Sequence, residues 1–534
     1  MTLTRAIATI GGWTMLSRVT GQIRETLMAT YLGAGLASDA FVVAFRFPNL
    51  FRSLFAEGAF NPAFVPLFAG RLDTEGHEAA RHFAEQCLAV LTVSLLLFVA
   101  VMEMAMPWAI YVLAPGFGGL PGKIELATEL SRITFPYLLF ISAVSLQSGV
   151  LNALGRFAAA AGTPVLLNVT SVAVLVALAP YTPTPAHAMA WGVFASGVVQ
   201  FLWLVVSVRR AGMPLGWVRP RLSPEVTLML RRVLPGAIGA GVYQINVAIN
   251  TVLASLVADG AASYLYYAER LNQLPLGVVG VAMGTALLPL LTRQLKTGQD
   301  GAAQESQNRA MELILLLTVP AALGLMVLAH PIIAVVYQYG SFTVAKIAPV
   351  AAALVALTAG LPAYVLIKAL APGFFAREDT RTPVKVAMVA MAVNVVLNLL
   401  LMVPFRHVGI ALATAASAWV NAGALAWLLG KRGHLVLDRR LRSRIPRILL
   451  SGLTMAAPLW LAAHLLAPLF EHVGGTRIAV LALLIAVGIA LYAVATLLTG
   501  ATTATEIKRL RRPRASPANM KFVGEADRPA PEGP

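Results

Sequence analysis

The stretch from Ser17 to Pro66 constrains this chain more than any other. It is apolar enough to lie in a bilayer, yet it carries Arg18, Arg24, Glu25, Asp39, Arg46, Arg52 and Glu57. On the insertion scale an arginine at the centre of a membrane helix costs about 2.5–3.5 kcal/mol. Four arginines facing lipid would therefore cost on the order of 10 kcal/mol. A fold that keeps them must give them water, counter-charge or both. A wet cavity lined by arginine is a site for an anion.

The rest of the sequence places that stretch in a membrane. Of 534 residues, 58% are hydrophobic and 12% charged, about half the charged fraction of an ordinary soluble chain. Fourteen apolar segments can be drawn, at 8–33, 36–69, 82–112, 124–152, 158–180, 186–208, 230–257, 262–292, 308–330, 344–370, 384–403, 407–430, 448–468 and 476–500. Each is long enough to span a bilayer. The expected fold is an all-α polytopic membrane protein with fourteen transmembrane helices. Pro48, Pro62 and Pro66 predict a broken second helix, because proline removes a backbone hydrogen bond. The N-terminus lacks a long apolar run ending in a small-residue cleavage site, so it reads as the start of the first span.

Charge in the loops sets the orientation. With the N-terminus in the cytoplasm, the outside loops hold only Lys123, Lys346, Arg406 and Arg477. The inside loops and the tail hold 30 of the 41 Lys and Arg, including a run from Lys431 to Arg447, and seven lie within spans. That asymmetry is the positive-inside signal, with both termini cytoplasmic. It also accounts for the net charge of +17 without nucleic acid as a partner, since the excess faces anionic lipid. The lone cysteine, Cys87, can form no internal disulfide.

The chain repeats itself weakly. GLASDAFVVAFRFPN (35–49) is similar to GAASYLYYAERLNQL (260–274), and GRFAAAAGTPVLLN (155–168) to FAREDTRTPVKVAM (375–388). These matches predict two six-helix lobes, 1–212 and 213–433, in the same orientation. Parallel repeats of this kind place a binding site between the halves, near the midplane. The last two spans, 434–504, lie outside the repeat, and 505–534 reads as a disordered basic and Pro-rich tail.

Several constellations could carry chemistry. On the first helix Ser17, Thr20, Gly21 and Arg24 share one face, with Arg18, Gln22 and Glu25 on the next. An internal pair of Arg18 or Arg24 with Glu25 or Asp39 is the structural alternative to a polar cavity. Glu269 and Arg270 lie opposite the Phe45–Arg46 region by the repeat, either as a local pair or with Arg270 facing the first-half arginines. Arg132 and Lys368 lie near span ends and read as snorkelling side chains. Asn246, Asn250, Asn394, Asn398 and Thr414 could gather as oxygen ligands for a small cation, although interhelical hydrogen bonding is the commoner use. The phenylalanines at 47, 51 and 55 and at 60, 64 and 68 read as packing. No metal-binding histidine spacing, phosphate loop or large outside domain is present, which argues against an enzyme and against any cofactor.

The runs SRVTGQIRE, DAFVVAFRFPNLFRSLFAEGAFNPAFVPLF, YAERLNQLPLGVVGVAMGTALLP and FFAREDTRTPVKVA resemble the MurJ (MviN) family of bacterial lipid II flippases. That family belongs to the multidrug/oligosaccharidyl-lipid/polysaccharide exporter superfamily. The resemblance implies lipid II as substrate, an undecaprenyl-diphosphate-linked disaccharide pentapeptide, moved across the cytoplasmic (inner) membrane by alternating access. It implies that Arg18, Arg24, Arg52 and Arg270 are cavity arginines beside Ser17, that Asp39 and Glu57 are cavity carboxylates, and that the last two spans hold the lipid tail. Some family members bind sodium through carboxylates where this chain has asparagines, so Na+ or H+ coupling is left open. The expected partners are lipid II and membrane lipids, with the cell-wall synthesis machinery as a further candidate, and the expected state is a monomer. The rival readings are a flippase for another lipid-linked oligosaccharide, a cation-coupled drug antiporter, a membrane glycosyltransferase and a scaffold.

Overall fold

The computed structural model describes residues 3–52, 60–470 and 473–503, without the side chains of 3–8, 234–243, 278, 281, 282, 284 and 285. Its elements are helical throughout the described residues. In the first half they are α1 (Leu3–Leu32), α2 (Leu36–Arg52), α3 (Asn61–Thr74), α4 (His77–Leu113), α5 (Lys123–Thr134), α6 (Tyr137–Ala153), α7 (Phe157–Leu178) and α8 (Pro185–Arg210). Then come α9 (Pro224–Val257), α10 (Ala261–Lys296), α11 (Asp300–Val327), α12 (Ala329–Tyr337), α13 (Ile347–Thr358), α14 (Leu361–Phe375) and α15 (Arg381–Lys431). The last two are α16 (Arg439–Leu465) and α17 (Gly475–Leu498).

Among the described residues, nine helical segments are long and apolar enough to cross a membrane. Large apolar side chains point outward from them, among them Leu97 and Val101 on α4, Leu400 and Val403 on α15, and Leu483 and Ile489 on α17. That is the pattern of helices solvated by lipid, whose backbone polar groups are all paired internally. α1, α9 and α10 are also long, at 30, 34 and 36 residues, and carry the polar side chains discussed below.

Local chemistry sets the breaks. α15 is two helices joined at Arg406, whose φ of 51° and ψ of −132° turn the chain back on itself. This matches the boundary drawn between the segments ending at 403 and beginning at 407. α2 continues through Pro48 to Arg52 without stopping. α3 begins at Asn61 with Pro62 in its first turn, where a missing N–H costs nothing. α2 and α10 begin at Leu36 and Ala261, equivalent positions in the first sequence match. The second match is looser: Thr163-Pro164 lies nearly two turns inside α7, whereas Thr382-Pro383 is in the first turn of α15.

α1 packs on α7 and α7 on α8, while α2 lies against α5. In the second half α10 packs on α11, α13 and α14, and α9 on α15. The two sets meet where α2 lies on α10 and α4 on α9. α16 packs on α11 and α17. Buried Glu312 on α11 pins α16 through Arg444 and through Arg440, whose Nη2 and Nε lie 3.0 and 3.1 Å away.

Candidate functional site

The midsection of α1 meets the first half of α10. Arg24 donates to Glu25 at 2.5 Å, and both are buried, at 7% and 3% exposure. The same carboxylate oxygen accepts from the Tyr266 hydroxyl at 3.0 Å and lies 3.7 Å from Arg270 Nε. The Arg270 guanidinium stacks 4.7 Å over the Tyr266 ring, and Arg24 faces the Phe45 ring at 5.8 Å. One carboxylate therefore serves two guanidiniums from opposite halves, and the cluster keeps a surplus positive charge. Sequence reading named Glu25 only as a local partner of Arg18 or Arg24. Its role as a bridge to α10 depends on a contact across 245 residues, for which the sequence carries no signal.

Arg18 lies nearly two helical turns before Arg24 on α1, flat against α10. A Cβ built on Gly277 would fall 2.0 Å from Arg18 Nη2. Only glycine leaves that space. Arg52 donates through Nε to Asn49 Oδ1 at 2.8 Å. Lower on the same face, the Ser17 backbone carbonyl and the Thr20 hydroxyl accept from Asn168 of α7 at 3.0 and 3.2 Å. Glu57 lies outside the described residues.

Asp39 sits in a closed network at one end of the bundle rather than in a cavity. It is 0% exposed. Its two oxygens accept from Lys123 Nζ at 2.8 Å, Gly260 N at 2.7 Å, and Ser263 N and Oγ at 2.8 and 2.7 Å. Lys123 also reaches Asp259 at 2.6 Å and stacks 4.3 Å from the Phe117 ring. Asp39 thus supplies from α2 the carboxylate that caps the N-terminus of α10, where unpaired N–H groups and the helix dipole favour an anion. Close by, Ser341 N donates to Thr30 O at 2.8 Å, and Tyr267 donates its hydroxyl to Gly33 O at 2.9 Å. Arg477, fully buried, bonds Gln338 Oε1 and O at 3.0 and 3.1 Å, so α17 joins the same end.

Glu269 and Arg270 do not pair with each other. Adjacent residues on a helix point about 100° apart, and Glu269 instead holds Arg46 at 2.9 Å, which also donates to Thr251 at 3.0 Å. This pair lines a cavity of about 520 Å³ between α9, α10, α14 and α15, together with Asn246, Asn272, Gln273 and Lys368. Lys368 lines this cavity with its side chain exposed, and α14 continues to Phe375, so Lys368 stands two turns before the helix end. Four of the five expected residues, Asn250, Asn394, Asn398 and Thr414, join in one hydrogen-bonded network beside the cavity, and Asn246 is not part of it. Asn398 Nδ2 donates to Asn250 at 2.8 Å and Asn394 at 2.9 Å, Asn250 donates to Thr414 at 3.4 Å, and Asn394 to Ser417 at 3.4 Å. The Asn250 and Asn394 oxygens already accept hydrogen bonds. Among the described residues no group of three or more His, Cys, Asp or Glu could hold a metal ion.

A family model described as Lipid II flippase MurJ matches residues 28–496. The chain is 45% identical over 536 residues to a probable lipid II flippase MurJ of Rhizobium meliloti, covering 99% of this chain and 100% of that one. It is 38% identical over 437 residues to the lipid II flippase MurJ of Burkholderia cenocepacia, covering 81% and 85%. In fold it is similar to a lipid II flippase MurJ in an inward closed conformation, with a TM-score of 0.77, 24% identity and coverage of 94% and 99%. It is also similar to an inward-facing multidrug resistance MATE family transporter of the MOP superfamily, with a TM-score of 0.64, 17% identity and coverage of 80% and 98%.

Proposed function

The chain belongs to the MurJ family, and from that premise we propose that it is a lipid II flippase, a transporter and not an enzyme. It carries the diphosphate-linked head group from the inner to the outer leaflet of the bacterial inner membrane while the polyprenyl tail stays in lipid. The observation that carries this reading is the charge imbalance where α1 meets α10. Arg24 and Arg270 share one carboxylate, Glu25, with Arg18 against Gly277 about two turns away. Guanidiniums from both halves, short of acid, fit a diphosphate by charge-assisted bonds.

The topology that goes with this function has fourteen spans. α2 with α3, α5 with α6, α11 with α12 and α13 with α14 make one span each, and α15 makes two. The lobes are 1–212 and 213–433, with a tail groove in 434–504 and a cytoplasmic tail at 505–534. Loop charge supports cytoplasmic termini, which puts Asp39, Lys123 and Asp259 at the outer face. Their network then closes the outer gate, and the lobes rock about it in alternating access. Arg52 and Ser17 flank the path. Each negative charge leaving a cell at −100 mV gains about 2.3 kcal/mol, so the membrane potential drives the head group outward.

Reconstitution tests the reading. Proteoliposomes containing the protein should move fluorescent lipid II between leaflets faster than empty liposomes. Equal rates in the two would overturn it.

A further inference from the structure

The segment 338–342, which leaves α12 at the same end of the bundle as Asp39, is held from two sides. On one side is α17. Arg477 is fully buried. It donates to Gln338 Oε1 at 3.0 Å and to the Gln338 backbone carbonyl at 3.1 Å, with its guanidinium 4.6 Å over the Tyr339 ring. Both acceptors are neutral, and Arg477 Nε has no partner. A buried charge is normally balanced by an acid, and an arginine in an outside loop runs against the charge pattern of the others. Seating an apolar helix requires neither cost. Holding 338–342 does account for the residue.

On the other side is α1. Ser341 N donates to Thr30 O at 2.8 Å. A Cβ built on Gly340, with φ 53°, would fall 2.5 Å from Thr30 O, and one built on Gly33, with φ 66°, 2.6 Å from Ser341 O. Both glycines hold left-handed backbone, so the two segments meet backbone on backbone. The Gly33 carbonyl also accepts from the Tyr267 hydroxyl at 2.9 Å, and that hydroxyl lies 3.3 Å from Ser38 Oγ, beside Asp39. The contact is therefore continuous with the closed network at the start of α10.

α17 has other polar ties. Tyr492 donates to Leu316 O of α11 at 2.8 Å, and the Thr499 hydroxyl meets that of Ser451 on α16 at 2.8 Å. Those ties hold α17 to the second half and to its neighbour. The tie at Arg477 reaches through 338–342 to the first half.

We propose that 338–342 is a clasp through which α17 holds α1 in the closed outer arrangement, with Arg477 as the positioning residue. Release at Arg477 frees the segment from α1 and lets that end open. The last two spans then take a mechanical part in alternating access. The proposal rests on the outer-gate reading and adds to it a helix from outside the two lobes.

The test uses full-length protein in nanodiscs, with spin labels at Leu120 in the first half and Phe405 in the second, both exposed, in a Cys87→Ala background. Pulsed electron resonance reads their separation. Arg477→Met, which leaves no stray charge, should shift the closed-to-open ratio about tenfold toward a longer distance, the worth of one charge-assisted hydrogen bond. The same shift should appear on top of Asp39→Asn. Gly340→Ala presses a methyl group onto Thr30 and breaks the clasp from its other side. It should open the end as far, and adding Arg477→Met to it should change nothing further. Gln338→Ala, which keeps the backbone acceptor, should give a smaller shift in the same direction, and it carries the test if Arg477→Met fails to fold. The clasp is overturned if Arg477→Met lowers Tm without changing the distances, or if its effect adds in full to that of Gly340→Ala. Either result, with Asp39→Asn still lengthening the distance, leaves the gate standing. Unchanged distances in both Asp39→Asn and Arg477→Met would overturn gate and clasp together.

Discussion

Replacing Asp39 by asparagine removes the anionic centre of the network that joins α2, α5 and α10. The side chain keeps nearly the same shape, and its one oxygen can still accept from Ser263 in the first turn of α10, while its NH2 takes the place of the oxygen that met Gly260 N and Lys123. What disappears is the counter-charge to Lys123, whose side chain is 1% exposed. Removing one partner of a buried pair costs about 3–5 kcal/mol. Lys123 retains Asp259 at 2.6 Å, and that carboxylate is 46% exposed, so the low end, about 3 kcal/mol, applies. On the proposed gate reading the network forms only while this end is closed, so the loss falls on the closed arrangement. It shifts the closed-to-open ratio on the order of 100-fold. Spin labels at Leu120 and Val344, both exposed beside this end, in a Cys87→Ala background would report the separation by pulsed electron resonance. Asp39→Asn should populate a longer distance than wild type. Adding Lys123→Gln, which leaves no stray buried charge, should bring the distribution back toward wild type. An unchanged distribution in the single variant would refute the reasoning.

Three further outcomes follow from particular contacts. Gly277→Ala pushes a methyl group to within 2.0 Å of Arg18 Nη2; at about 1–3 kcal/mol of overpacking the protein should still fold, but lipid II flipping should fall as far as in Arg18→Ala, which a proteoliposome assay checks. Asp379 lies outside the membrane-spanning helices and accepts from the Thr382 hydroxyl at 2.6 Å, Arg432 at 2.6 Å and Thr382 N at 2.9 Å; these bonds hold its carboxyl well below the ordinary aspartate range. Its contribution is fully present above the unfolded value of about 3.9 and is lost only as pH falls through the depressed folded value. Asp379→Asn should therefore lower stability by about 1 kcal/mol, with a Tm gap to wild type that persists from pH 7 to pH 4 and closes only in stronger acid. Exchanging Na+ for K+ should leave both Tm and flipping rate unchanged, since the Asn250 and Asn394 oxygens are occupied by Asn398; a sodium-dependent rate would sink that expectation.

The sequence made some of this legible, for definite physical reasons. Hydropathy and loop charge are local, so the segment edges fall close to the helix ends, including the turn at Arg406. Phe60, Phe64 and Phe68 read as packing, and their rings do stack on one another at 5.3 and 5.6 Å. The burden of arginines along α1 and α2 was likewise visible, because any charge in an apolar run stands out. The neighbouring pair Arg24–Glu25 was legible too, but partners distant in sequence were not. Asp39 finds Lys123 across 84 residues and Ser263 across 224, distances over which spacing carries no information. Glu269 and Arg270 look like a pair in sequence because they are adjacent, and helical geometry sends them to different partners. The segment drawn to 370 placed Lys368 at an end, whereas α14 continues to Phe375 and Lys368 lines a cavity. Gly277 was invisible as a site residue, since its contribution is the absence of a side chain.

The central claim is that guanidiniums from both halves receive the diphosphate. A structure of the full-length protein with lipid II bound tests it most directly. The account predicts diphosphate density between α1 and α10 within hydrogen-bonding reach of Arg24 and Arg270, with Arg18 beside it and the Glu25 bond to Arg24 opened or shared. Diphosphate density elsewhere, with Arg24, Glu25, Tyr266 and Arg270 bonded as they are without it, would contradict the account.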